Sequence, residues 1–124
     1  MNLSVYFKSI VDSDIMPVVV CSISHEIIYM NPTAVKRYAK RGGAELISKS
    51  IFDCHNSDSN EKIRAVVEWF SKSPENNRIF TFHNPKENKD VYMIALRDDN
   101  NNLIGYYEKH ECRTPENNTV YNFR

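Results

Sequence analysis

Between Ile27 and Tyr38 the chain reads Ile-Ile-Tyr-Met-Asn-Pro-Thr-Ala-Val-Lys-Arg-Tyr, which forces a strand to hand over directly to a helix. The apolar run of a strand ends at Asn31. Asparagine is a strong N-cap type, because its side-chain oxygen accepts from the free amides of a helix's first turn. Pro32 then falls at the first helical position, where its missing N–H removes nothing. Ala34, Val35 and Tyr38 supply one apolar stripe of a short helix. A fold that contains this junction must set a helix against a sheet.

The flanking segments support such a layered arrangement. Leu3, Tyr6, Phe7 and Ile10 recur at i, i+3, i+4 and i+7, with Val11 widening the stripe, and predict an amphipathic helix of about three turns. Pro17 opens the β-branched run 18–20, and a turn near Ser24 and His25 leads to a strand over 26–30, so the two read as a hairpin. Arg41-Gly42-Gly43 breaks the chain, and 44–56 is expected to be irregular with short helical turns. Ile63, Val66, Val67 and Phe70 repeat the helical spacing, which predicts a long helix over 58–72. Asp58 and Glu61 stand at capping-box spacing there, and the pairs Arg64–Glu68 and Glu68–Lys72 lie on its exposed side. Strands over 78–83, 89–97 and 103–110 follow, separated by polar turns, and predict an antiparallel meander. A sheet with helices gathered on one face satisfies the burial needs of both layers.

With 124 residues the chain has the length of one domain. Sixteen basic residues balance sixteen acidic ones, so nothing points to general affinity for nucleic acid or an anionic membrane. No apolar run approaches the length needed to span a bilayer, and no secretory leader is visible at the N-terminus. Cys21, Cys54 and Cys112 are odd in number and widely spaced, so neither a disulfide framework nor a metal-binding pair is expected. These features predict a cytoplasmic protein in which the Asn117-Asn118-Thr119 sequon is accidental.

The order of elements resembles that of PAS sensor domains over about residues 9–113. Four features carry the resemblance: the 27–31 strand with its capping Asn31, the helix centred on Val66, the hairpin 91–110 around Asp99-Asn100-Asn101-Asn102, and Gly105 just after that turn. Asn102 stands where the family usually has the turn glycine, a substitution asparagine makes best because it tolerates positive φ. The resemblance implies an α+β PAS fold: a five-stranded antiparallel sheet with helices on one face and an N-terminal amphipathic helix. The corresponding organisation is helix 1–14, PAS domain 15–113 and polar tail 114–124. The resemblance also implies a pocket between sheet and helices, and for it Tyr29, Val66, Val67, Phe70, Met93 and Tyr107 are the candidate lining.

Light-sensing relatives place a reactive cysteine within Gly-x-Asn-Cys-Arg-Phe-Leu-Gln. Here the matching region is 48–55 with Cys54 displaced by three positions, which argues against flavin. Haem is the leading candidate cofactor. The predicted long helix holds no histidine, but Cys54-His55 stands just before it and resembles a Cys-His motif of stand-alone bacterial PAS proteins. Thiolate and imidazole both ligate iron, so Cys54 and His55 are the candidate metal ligands if haem is bound. The alternative is structural: Cys54 as a small buried hydrophobe and His55 ordering the helix entry. His25, His83 and His110 are expected at the surface. Catalysis is not expected, because adjacent residues such as Cys54 and His55 seldom aim at each other as nucleophile and base.

Two functions are compatible with the chain. One is a sensory module that binds a small ligand and signals through a homodimer or an output protein. The other is a ligand-free interaction or dimerisation module with a filled core. Aromatic residues on both sheet faces require both to be covered, the second by the N-terminal helix or by another copy.

Overall fold

The structure, a computed structural model, describes residues 1–123. Helix α1 (Leu3–Asp12) precedes strands β1 (Val19–Ser22) and β2 (Ile27–Met30). Helix α2 (Pro32–Arg37) and three 3-10 turns (Ala39–Arg41, Gly43–Leu46, Ile51–Cys54) lead to α3 (Ser57–Lys72). Strands β3 (Arg78–Asn84), β4 (Lys89–Arg97) and β5 (Leu103–Cys112) complete the order. The five strands form one antiparallel sheet in the order β2-β1-β5-β4-β3. This is the architecture expected from the sequence.

Asn31 does more than cap. Its Oδ1 accepts from Ala34 N at 2.9 Å and also from Val18 N at 2.9 Å. Its Nδ2 donates to Val11 O and Met16 O, each at 3.0 Å. One fully buried side chain therefore ties the end of α1 and the entry to β1 to the start of α2. Burial in an apolar layer is tolerated because both ends of the amide are satisfied.

Residues paired across strands share a face, so the register separates two surfaces. Val20 pairs with Tyr29 and Tyr107, and Ile94 pairs with Tyr107 and Arg78; this row lies on the outer face. Cys21, Ile27, Tyr106 and Met93 lie on the inner face and pack with Ala34, Leu46, Val67 and Phe70 of the helical layer. β1 and β5 approach closely at Gly105, where a Cβ would lie 2.2 Å from the Cys21 carbonyl oxygen.

Several local expectations are corrected. α3 begins at Ser57 with Asn56 as its N-cap, its side chain accepting from Ser59 N at 2.9 Å, so Asp58 is a first-turn residue and no capping box forms. Arg64 stacks 4.1 Å over the Phe52 ring instead of pairing with Glu68. In the β4–β5 turn it is Asn101, not Asn102, that takes the positive φ (64°), while Asp98 Oδ1 accepts from Asn100 N and Asn102 N at 2.9 Å. Arg97 holds the end of α3: its Nη2 donates to Phe70 O at 2.7 Å and to Ser73 O at 3.1 Å, the carbonyls a helix leaves free.

The N-terminal helix forms as predicted but does not cover the outer face. It is anchored at its C-terminal end, where Tyr29 Oη donates to Asp12. Just beyond it, Lys109 Nζ lies 3.4 Å from Asp14. Leu3, Tyr6, Phe7 and Ile10 remain between 52% and 66% exposed. Phe80 on the outer face, and Ile28 and Ile104 at the strand irregularities, are likewise exposed.

Candidate functional site

A cavity of about 590 Å³ lies between α3 and the inner face of β3, β4 and β5. Strand alternation builds one wall in three rows. Ile79, Met93 and Glu108 form the first, Phe82, Val91 and His110 the second, and Asn84 and Lys89 the third; all of these residues line the cavity. Ile63 and Val66 of α3 face them, with Ser59 and Lys62 at the rim. The volume lies within the range of small-molecule sites, which are mostly apolar with a few convergent polar groups.

The apolar part of the cavity grades into a charged end. Arg37 from α2 grips Glu87 through two hydrogen bonds of 2.8 and 3.0 Å, and Lys89 Nζ lies 3.3 Å from the same carboxylate. These cations hold the Glu87 carboxyl down at about 2, Arg37 contributing most and Lys89 next. The Lys89 side chain is only 4% exposed. His110 is buried as well, and its Nδ1 has no hydrogen-bond partner. Burial, reinforced by Lys89 and Arg37, lowers its pKa to about 4, so the imidazole is neutral at pH 7. His110 is therefore not the surface residue expected from the sequence.

Glu108 stands in the middle of this wall, with Oε1 3.9 Å from His110 Nε2. Its side chain is 46% exposed and lines the cavity. Burial raises its pKa, against the lowering influence of His55 and Lys89. His55 and Glu108 also border two smaller chambers, of about 60 and 30 Å³, and are the two residues common to all three spaces.

The expected site residues separate into four places. His55, Val66 and Met93 border the large cavity. Cys54 borders the 60 Å³ chamber and not the large one, with its Sγ 4.0 Å from Ser50 O. Val67 and Phe70 are core residues, Phe70 fully buried. Tyr29 and Tyr107 share the outer-face row and do not reach the cavity. The physical reason is the two-residue period: Tyr106, one position away from Tyr107, is the inward residue of β5. Following Tyr106 by alternation leads to Glu108 and His110, the polar residues that the sequence reading missed. Arg37 and Lys89 carried no local signal, because the fold brings them together from 52 residues apart in the chain.

His55 Nδ1 lies 3.0 Å from Ile51 O, and its Nε2 makes no hydrogen bond among the described residues. Such a backbone contact at one ring nitrogen orients a histidine for ligation through the other. Among the described residues no group of three or more His, Cys, Asp or Glu side chains is placed to hold a metal ion. No helix among them is long and apolar enough to cross a membrane.

No protein-family model matches the sequence, and no curated protein matches it significantly. Solved structures do match. The PAS domain of a protein from Colwellia psychrerythraea superposes with a TM-score of 0.64 at 13% identity, over 90% of this chain and 97% of that one. The PAS domain of BvgS from Bordetella pertussis gives 0.60 at 16% identity, over 92% and 89%. The Aer2 receptor from Vibrio cholerae, described as a dual PAS-heme oxygen sensor, gives 0.54 at 19% identity, over 79% and 94%. At 13 to 19% identity the likeness is one of architecture: a five-stranded antiparallel sheet with helices, superposing on PAS domains over most of both chains, gives the chain the PAS fold.

Proposed function

We propose that this chain is a sensory module that admits a small ligand between sheet and helices and transmits its presence to a second copy or an output protein. The 590 Å³ cavity carries the reading, since a module with a side-chain-filled core has no such space. Differential affinity of the ligand for two states of the module would make binding a signal.

Haem is the first ligand to test. The residues fit it through His55, which borders the cavity with Nε2 free, and not through Cys54, which borders a chamber too small for a macrocycle. Bound there, haem would supply an iron centre able to respond to a gas or to redox state. Haemin titrated into the purified protein is expected to give a Soret band that His55→Ala removes and Cys54→Ala leaves in place. A band unchanged in His55→Ala would remove the histidine from the site. Native mass spectrometry of freshly purified protein tests the broader reading through a mass excess over the bare chain.

The exposed stripe of α1 supports the second part of the proposal. Four apolar side chains on one helix face, beside an outer sheet face that keeps Phe80 in solvent, favour self-association. The alternative, a ligand-free dimerisation module, rests on this same surface and would leave the cavity unused.

A further inference from the structure

Resting on the ligand-binding reading above, we propose that the cavity selects an organic acid, its apolar body lying along Val66, Phe82 and Met93 and its carboxylate held at Lys89. Three observations carry this. First, three cationic side chains (Arg37, Lys62 and Lys89) line the cavity against one carboxylate, Glu108. Glu87 offsets part of this charge from outside the lining but is already gripped at both oxygens by Arg37.

Second, Lys89 is buried with incomplete partners. An ammonium has three donors, and among the described residues this one meets a single carboxylate, Glu87 at 3.3 Å. A buried charge so sparsely satisfied is costly unless something else completes it. A ligand carboxylate in the cavity that Lys89 lines would do so.

Third, His110 lines the same end with its Nδ1 buried and unpartnered. As a neutral imidazole, His110 adds no charge of its own at that end. A hydrocarbon of the same shape would fill the apolar space with no partner for Lys89, and an alcohol would offer an acceptor oxygen but no charge. A hydrogen bond between two ionised groups is about twice as strong as a neutral one, so the acid is preferred over the alcohol.

The chemistry has two sources, an acyl-chain or aryl acid and the propionate of a porphyrin. The test is titration calorimetry of the full chain with decanoate, decan-1-ol and metal-free protoporphyrin IX, repeated on Lys89→Met. Expected is decanoate binding at least about tenfold tighter than decan-1-ol, with Lys89→Met abolishing the difference. Lys89-dependent binding of protoporphyrin IX without decanoate binding would support the same head-group site and name the propionate as its source. Equal binding of decanoate and decan-1-ol overturns the acid preference while leaving a ligand-binding cavity. Binding of none of the three overturns both this inference and the sensory reading beneath it. The comparison on the wild-type protein stands even if Lys89→Met fails to fold.

Discussion

His110 shows how one residue couples the cavity to stability. Burial first, then Lys89 and Arg37, hold its pKa at about 4 against 6.5 for the ordinary side chain, and the opposing influence of Glu87 and Asp14 does not restore it. Between those values the unfolded chain binds more protons than the folded one, so stability rises with pH. The contribution is complete above pH 6.5 and is lost as pH falls towards about 4. At about 1.4 kcal/mol per unit it amounts to about 3 kcal/mol across the window. Glu108 acts with the opposite sign. Its raised pKa favours the fold below 4.5, and that contribution is lost as pH rises through the folded value. We expect wild-type Tm to fall on acidification from pH 6.5 more steeply than that of His110→Gln, most clearly in a Glu108→Gln background. Parallel curves would show that His110 protonation is not linked to folding. None of this was legible locally: a histidine near a strand's end looks exposed until the strand's inward face is known.

At the scale of elements, the β1–β5 contact depends on Gly105. A methyl there would meet the Cys21 carbonyl oxygen at 2.2 Å, and that atom belongs to backbone held in the sheet. Gly105→Ala is therefore expected to part the two strands at a cost of about 3 kcal/mol, lowering Tm by on the order of 10 °C. An unchanged Tm would mean that the strands separate freely at that point. The elements themselves were readable wherever side-chain chemistry is local. Asn31 and Pro32 start α2 as their types predict, and the strand Lys89–Arg97 lies where its aromatic and β-branched content between polar turns placed it. The N-cap of α3 was misplaced by two residues, because Asn56 and Asp58 are both good caps and only the geometry selects between them. The inward face of β5 was also misassigned. Tyr106 and Tyr107 are equivalent as sequence, and the choice between them reverses every neighbour.

At the scale of the molecule, the chain combines an exposed apolar surface with a cavity between its layers. α1 stands with its apolar stripe in solvent beside an outer sheet face that keeps Phe80 exposed. We expect sedimentation velocity to show a dimer that Phe7→Glu converts to monomer; a monomeric wild type at high concentration would rule out self-association through this face. The tail after Arg113 bears exposed Val120, Tyr121 and Phe123, the last two in ring contact at 4.9 Å. The sequence by itself determined what depends on neighbours along the chain: the caps, the periods, the order of helices and strands, and from these the layered fold. Only the tertiary structure decided what depends on which face a strand presents and on residues distant in sequence. It brought Arg37 to Glu87 and Lys89, turned Glu108 and His110 inward, and set Cys54 apart from the cavity that His55 borders. The reason is physical: periodicity specifies a pair of faces, while burial against another element selects which of them becomes the wall of a site.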